Sequence, residues 1–201
     1  PVGSLSDITC FSFQAIKFLT TGDGGLICVK DDALYNQIKR RKWFGFDKSN
    51  LTRKFEGDRD CLINELGFKY HMNDIAAAIG LGNLVGAKER LNKRKSIANL
   101  YSNALSKIDG VKLLKKNGEP SNWLYTILVE NRIEFIKKMK SKNIPVSVVD
   151  RRIDANPIFG GITFNLNGQE YFDEHQISLP IHEALSIEDI DFIIATILEG
   201  W

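Results

Sequence analysis

The chain has 201 residues, of which 43% are hydrophobic and 26% are charged, and its formal net charge is +2 at pH 7. This length and composition suit a globular protein with a real core and exclude an intrinsically disordered chain. The small net charge argues against a dedicated nucleic-acid-binding protein, and the sequence has no apolar run of membrane-spanning length.

The cysteines indicate the compartment. Cys10, Cys28 and Cys61 are odd in number and have neither metal-ligand nor Cys-x-x-Cys spacing. We therefore interpret them as reduced thiols and expect no metal site. The sequence shows no signal peptide, so the cytoplasm is the expected location.

The first informative feature along the chain is a lysine framed by hydroxyl groups and glycines. An apolar segment runs to Lys17, a Thr-Thr-Gly-Asp-Gly-Gly turn follows at 20–25, and a strand is predicted at 26–30. Burial lowers the pKa of a lysine, and a neutral amine can condense with a carbonyl group, so Lys17 is a candidate covalent catalyst. Ser12, Thr20 and Thr21 could bind a phosphate. The alternative is a surface lysine beside a hairpin turn.

Two helices and an intervening loop are predicted next. The first helix begins at Asp31-Asp32, with Leu34, Ile38 and Arg41 on one face. Residues 43–60 have no sustained period and are interpreted as a long functional loop. The second helix is predicted to run from Asn73 or Asp74 to about Ile108, with Asn73 as its cap. Glycines within this helix indicate close packing against another element: Gly80, Gly82 and Gly86.

The rest of the chain reads as a small α/β unit. Strands are predicted at 123–130 and 146–149, around a helix at 133–142 that turns Ile133, Ile136 and Met139 inward. A break is predicted at 143–145 and a loop at 157–168. Ser186 begins a capping-box pattern for a final helix. Its buried side is predicted to hold four isoleucines: Ile190, Ile193, Ile194 and Ile197.

Two long motifs carry a family resemblance. The segment Phe11-Ser12-Phe13-Gln14-Ala15-Ile16-Lys17, followed by the turn at 20–25, resembles the cofactor-lysine segment of the DegT-family sugar aminotransferases. The segment 65–80 resembles that family's Gly-x-Asn-x-Arg-Met motif and the helix after it. The resemblance implies an α/β fold, the C-terminal part of a fold type I pyridoxal-phosphate transferase. It divides the chain into the remainder of a large cofactor domain (1–75), a connecting long helix (76–108) and a small C-terminal α/β domain (109–201).

The resemblance also implies roles for individual residues. Lys17 would hold pyridoxal 5'-phosphate as a Schiff base, and Ser12 matches the family's phosphate-binding serine. Gln14 replaces a commoner histidine near the cofactor. Lys69 replaces an asparagine that reaches the phosphate of the neighbouring subunit's cofactor, although Lys69 could instead be merely exposed. His71 replaces an arginine near the substrate, and its role could therefore differ here.

One further candidate lies near the end of the chain. Arg151-Arg152 and Asp154 lie where some relatives contact the diphosphate of a nucleotide sugar, so Arg152 is a candidate substrate ligand. A surface ion pair is the alternative.

The reaction implied is transfer of an amino group from glutamate to a nucleotide-linked keto-sugar. The resemblance covers only the second half of the family's usual length, so a missing N-terminal half and a homodimer with a shared active site are expected as partners. Two alternatives stay open: a non-catalytic regulatory or assembly subunit of the same fold, and a pyridoxal-phosphate-dependent sugar dehydratase. The dehydratases of this family carry histidine in place of the lysine, whereas this chain retains Lys17.

Overall fold

The computed structural model describes residues 2–47, 55–58, 63 and 65–201. The chain divides into two compact units, Pro1–Ala87 and Lys88–Trp201. The expected boundaries at 75 and 108 stay a prediction.

In the described residues of the first unit there are a two-stranded antiparallel sheet and three helices. Strands β1 (Ile8–Ser12) and β2 (Gly25–Val29) pair with Ile8 opposite Val29 and Ser12 opposite Gly25. Helix α1 spans Val2–Leu5, α2 spans Asp32–Arg41 and α3 spans Asp74–Leu84. The predicted strand and the start of α2 are confirmed.

Side-chain caps explain where α2 and α3 begin. The Asp31 carboxylate accepts a hydrogen bond from the Leu34 backbone N–H at 2.6 Å, and the Asn73 side chain accepts one from the Ala76 N–H at 2.8 Å. Each cap satisfies a donor that has no partner within the helix. Three basic residues in the last turn of α2 complement the helix dipole: Lys39, Arg40 and Arg41.

The prediction of one continuous helix to about residue 108 is wrong. Helix α3 ends at Leu84, Val85 is extended, and Gly86 has a φ of +76°. Neither conformation continues a right-handed helix, so a separate helix α4 begins at Ala87 and ends at Leu105. The glycine prediction holds for Gly80, where an added Cβ would approach another side chain, and is wrong for Gly82, which faces open space.

The second unit is a three-stranded antiparallel sheet covered by helices. Strands β3 (Val111–Leu113), β4 (Tyr125–Val129) and β5 (Gln176–Leu179) lie in the order β3-β4-β5. Helices α5 (Arg132–Ser141), α6 (Asn167–His175) and α7 (Ile187–Leu198) complete it. The core holds large apolar side chains from α4, the sheet, α5 and α7, including Tyr101, Ile127, Phe135, Ile177 and Ile190.

Two predictions in this unit need correction. Ile133 is 61% exposed, because Phe135 and Met139, four residues apart, define the buried face of α5. The predicted strand 146–149 makes only one antiparallel bridge, between Ser147 and Ser178. Its flanking valines, Val146 and Val148, pack against the core, so the apolar pattern reflects packing without a strand ladder.

The remaining expectations are largely met. The predicted strand at 123–130 corresponds to β4, and the break at 143–145 contains Asn143 with a φ of +58°. The predicted loop at 157–168 contains a short 3-10 turn, Pro157–Phe159, and ends as α6 begins. Ser186 and Asp189 form the predicted capping box, and the four isoleucines of α7 lie in or against the core.

Candidate functional site

Lys17 lies in a loop that connects β1 to β2, residues 13–24, which we call the lysine loop. The loop is closed at its neck because the Phe13 N–H donates to the Gly24 carbonyl at 2.9 Å. The Thr21 N–H donates back to the Phe13 carbonyl at 3.0 Å. The lysine is thus presented by a loop pinned at both ends rather than by an open turn.

The two threonines shape this loop. The Thr20 hydroxyl donates to the Phe13 carbonyl at 3.0 Å and accepts from the Gly22 N–H at 2.9 Å. The Thr21 hydroxyl donates to the Asp23 carbonyl at 2.7 Å, and Thr21 is buried. Both hydroxyl protons are used within the loop, so the suggestion that these threonines bind a phosphate is not supported.

Ser12, Gln14 and Lys17 lie together at the start of the loop. The Lys17 N–H donates to the Gln14 carbonyl at 2.9 Å, which folds residues 14–17 into a turn. The Ser12 hydroxyl oxygen accepts from the Gln14 N–H at 3.3 Å, which leaves its own proton to donate to a ligand. Lys17 is half-buried, whereas Ser12 and Gln14 are exposed. An amine, a hydroxyl and an amide therefore share one short stretch.

The second motif adjoins the lysine loop. A Cβ built on Gly24 would lie 2.7 Å from Thr21 Oγ1 and 3.0 Å from Met72 Cε, and one built on Gly80 would lie 2.7 Å from Thr21 Cγ2. Met72 and Gly80 of the second motif therefore pack against the first. The structure brings together the two stretches on which the family resemblance rests.

Lys69 and His71 lie on a segment paired with the residues that follow α2. Trp43 and Lys69 form an antiparallel bridge. The Tyr70 N–H donates to the Lys42 carbonyl at 2.9 Å, and the Phe68 N–H donates to the Arg41 carbonyl at 2.7 Å. Lys69 and His71 are both exposed, and they are two residues apart, as on one face of a strand.

Sequence reasoning missed the contact between Trp43 and His71. Its indole lies edge-on to the His71 imidazole, with ring centroids 5.1 Å apart. The sequence was interpreted as loop from residue 43 onward, and residues 48–54, 59 and 60 of that stretch lie outside the described residues. The glycines at 45 and 67 were the available signal, since a glycine often marks close backbone approach.

Arg152 belongs to the second unit and is engaged there. It is 8% exposed, and its guanidinium donates two hydrogen bonds of 2.7 Å to the Asp154 carboxylate and one of 2.9 Å to the Thr163 carbonyl. The Arg152 guanidinium, and then the Thr163 N–H, hold the pKa of Asp154 far below its usual range. The ion-pair alternative is therefore present, but it is buried, and substrate contact by Arg152 stays a prediction.

The chemistry of the first unit suits a phosphorylated aldehyde. Lys17 offers an amine for a carbonyl carbon, and Ser12 beside it offers a hydroxyl donor for a phosphate. Within the described ranges, no group of three or more acidic, histidine or cysteine side chains could hold a metal ion, and no helix is long and apolar enough to cross a membrane.

Comparison with known proteins adds independent support. Residues 1–198 match the DegT/DnrJ/EryC1/StrS aminotransferase family. The sugar aminotransferase CalS13 from Micromonospora echinospora superimposes with a TM-score of 0.91 and 31% identity, over 100% of this chain and 54% of that one. The putative sugar aminotransferase Spr1654 from Streptococcus pneumoniae, in its PLP form, gives a TM-score of 0.82 and 27% identity, over 98% of this chain and 52% of that one.

A curated relative from Shewanella sediminis is named UDP-4-amino-4-deoxy-L-arabinose–oxoglutarate aminotransferase. It is 28% identical over 99% of this chain and 56% of its own length. The chain thus spans about half the length of the curated relatives it matches. The structural matches confirm the expected fold, that of part of a sugar aminotransferase.

Proposed function

This chain belongs to the DegT/DnrJ/EryC1/StrS aminotransferase family, and from that premise we propose that it contributes the cofactor-binding lysine to a sugar aminotransferase. The reaction would move an amino group from glutamate to a nucleotide-linked keto-sugar, with pyridoxal 5'-phosphate as cofactor. The relative named as an oxoglutarate aminotransferase supports glutamate as the donor, because oxoglutarate is the keto acid that glutamate becomes. The Spr1654 structure in its PLP form supports the cofactor.

The observation that carries the proposal is the setting of Lys17. The side chain is half-buried on a loop whose neck is closed by backbone hydrogen bonds, with the Ser12 hydroxyl beside its turn. A pinned loop holds an amine at a fixed point at little entropic cost when a ligand binds. A lysine beside an open hairpin would lack that preorganisation.

Lys17 would act twice. Its Nζ would hold the cofactor by a covalent bond to the aldehyde carbon, whose oxygen leaves as water, and, once displaced by the amino donor, the free amine would accept the proton from the donor's Cα. The bound cofactor supplies an electron sink for the charge left on that carbon. Placement of Nζ by the lysine loop keeps the same group available for both tasks.

Other residues would bind and orient the ligands. Ser12 would donate its hydroxyl proton to a phosphate oxygen. Lys69, which is exposed, would supply a positive charge to the phosphate of the cofactor in the neighbouring subunit. Gln14 would hydrogen-bond near the cofactor without changing charge. His71 would contact the substrate. Arg152 would contact the substrate while its guanidinium stays hydrogen-bonded to Asp154.

Two partners belong to the same proposal, a second copy of the chain with a shared site and the remaining half of the family's length. In the described part of Pro1–Ala87, no apolar side chain is buried. Exposed apolar groups line β1, β2 and α3, among them Phe11, Leu26, Ile27, Ile75 and Leu81. A two-stranded sheet with open faces is marginal alone, so further protein surface is expected to cover it.

The proposed location is the cytoplasm. Cys10 and Cys28, on paired strands, are both free thiols. Free thiols on adjacent strands are consistent with a reducing compartment.

The proposal is tested by nitrogen transfer. The purified chain would be given pyridoxal phosphate, ¹⁵N-glutamate and a UDP-linked 4-keto-sugar, and the products would be analysed by mass spectrometry beside Lys17→Ala. Lysine-dependent appearance of ¹⁵N in the sugar supports an aminotransferase. Loss of water from the sugar without nitrogen uptake would indicate the dehydratase, and cofactor binding without turnover would favour a regulatory or assembly subunit.

A further inference from the structure

Residues 41–45 run against residues 67–71 at very short range, an arrangement we call the paired segment. A Cβ built on Gly45 would lie 1.9 Å from the Glu65 carbonyl oxygen, and one built on Gly67 would lie 1.9 Å from the Gly45 nitrogen. These distances leave no space for any side chain at either glycine. The two backbones are therefore in direct contact where the pairing begins.

Ion pairs between Glu65 and two arginines hold this contact, and we call these three residues the clasp. Both carboxylate oxygens of Glu65 contact arginines in the last turn of α2. Oε1 accepts a hydrogen bond from Arg40 Nε, and Oε2 lies 3.4 Å from Arg41 Nε. The Glu65 side chain is only 21% exposed. The hydrogen bond from Arg40 lowers the pKa of Glu65, which keeps the carboxylate charged.

We propose that Glu65 is a positioning residue that fixes the paired segment and thereby orients Lys69 and His71. Downstream of Glu65, residues 68–70 are paired with residues 41–44 through successive backbone hydrogen bonds and one antiparallel bridge. A shift of Glu65 is therefore expected to displace the side chains of Lys69 and His71. The roles of Lys69 and His71 in ligand binding rest on the proposed function, but the positioning itself is measurable without any ligand.

The contact between Trp43 and His71 gives a direct readout. The fluorescence of an indole depends on the groups that its ring touches, and the Trp43 ring touches the His71 ring. With Trp123→Phe and Trp201→Phe as background, Trp43 is the only tryptophan in the chain. We expect its emission to change when His71 is replaced in His71→Gln, and we call the size of this change the His71-dependent step.

The test is the size of that step in Glu65→Gln, which keeps the shape of the side chain and removes its charge. We expect the step to shrink at least twofold, because residues 67–71 lose their fixed register. Glu119→Gln is the matched control, since Glu119 pairs with Lys95 at 2.8 Å on an exposed surface of the second unit. Its step should equal that of the parent.

Arg41→Gln is a second variant for the case that Glu65→Gln does not fold. It removes only the longer of the two ion pairs of the clasp. A step of intermediate size supports the clasp. A full-sized step in both Glu65→Gln and Arg41→Gln would overturn the proposal, as would a parent protein without a His71-dependent step. Failure of the proposed function would instead appear as absent cofactor binding at Lys17, with the fluorescence step intact.

Discussion

Thr21 packs against Gly80 so closely that a Cβ built on the glycine would come within 2.7 Å of Thr21 Cγ2. Thr21 is buried and its hydroxyl shapes the lysine loop, whereas Gly80 lies in the middle of α3. This contact joins the loop that carries Lys17 to the helix that follows Lys69 and His71. Its integrity is therefore a condition for the proposed site.

Gly80→Ala is expected to destabilise the first unit. Overpacking costs about 1–3 kcal/mol, which exceeds the gain of up to about 1 kcal/mol in helix propensity. Gly82→Ala is the control, because a Cβ there meets nothing within 4 Å and should stabilise α3. Urea unfolding in the Trp123→Phe, Trp201→Phe background, followed by Trp43 fluorescence, measures both. Equal stability of the two variants would contradict the packing argument.

Ser12→Ala and Thr20→Val separate ligand binding from loop structure. Ser12→Ala should weaken binding of pyridoxal phosphate about tenfold or more, because a hydrogen bond to a charged group contributes roughly 1.5–3 kcal/mol. Its free energy of unfolding should change little, because the bond that it loses within the loop is a long and exposed one of 3.3 Å from the Gln14 N–H. Thr20→Val removes two hydrogen bonds within the loop and should lower both affinity and stability.

Equilibrium dialysis gives the affinities for this pair, and urea titration gives the stabilities. A Ser12→Ala variant with unchanged affinity would show that the hydroxyl does not contact the phosphate.

Asp154 is expected to make stability depend on acid pH. Its pKa is depressed from 3.8 in the folded state, first by Arg152 and then by the Thr163 N–H. A depressed carboxyl pKa stabilises the fold above the unfolded value and loses this contribution as pH falls through the folded value. On a plot of unfolding free energy against pH, the fall at acid pH is the acid limb. For the second unit, this limb should therefore be shallower in Asp154→Asn.

Urea unfolding at a series of pH values, followed by far-UV circular dichroism, checks this expectation. Asp191→Asn, which removes an exposed carboxylate on α7, serves as the control and should leave the acid limb as it is. An acid limb of the same slope in Asp154→Asn would show that the ion pair contributes nothing measurable to stability.

Local signals in the sequence predicted much of the fold. Asp31, Asn73 and Ser186 mark helix starts because each cap acts on residues two or three positions away. The break after Leu84 was missed because glycines also occur within helices. The sequence does not report the φ of +76° at Gly86 that prevents this helix from continuing. The strand β5 was missed because its identity depends on pairing with β4, which is distant in sequence.

The candidate site was predictable to a different degree at each residue. Lys17 was singled out through its motif, and its role as the cofactor lysine stays a prediction; the structure shows that it is half-buried. The paired segment was not found, since the approach of Gly45 to Gly67 is a tertiary contact that no local pattern reports. Arg152 was correctly seen to have an ion-pair alternative, but its burial depends on contacts with the separate segments at Thr163 and Glu170.

The most direct test of the account is covalent trapping of the cofactor. The purified chain would be incubated with pyridoxal phosphate, reduced with borohydride, digested and analysed by mass spectrometry, beside Lys17→Ala and Lys30→Ala. A visible absorbance band and a reduced adduct on Lys17, absent only from Lys17→Ala, are predicted. An adduct spread over surface lysines, or one that persists in Lys17→Ala, would contradict the assignment of Lys17 as the cofactor-binding residue.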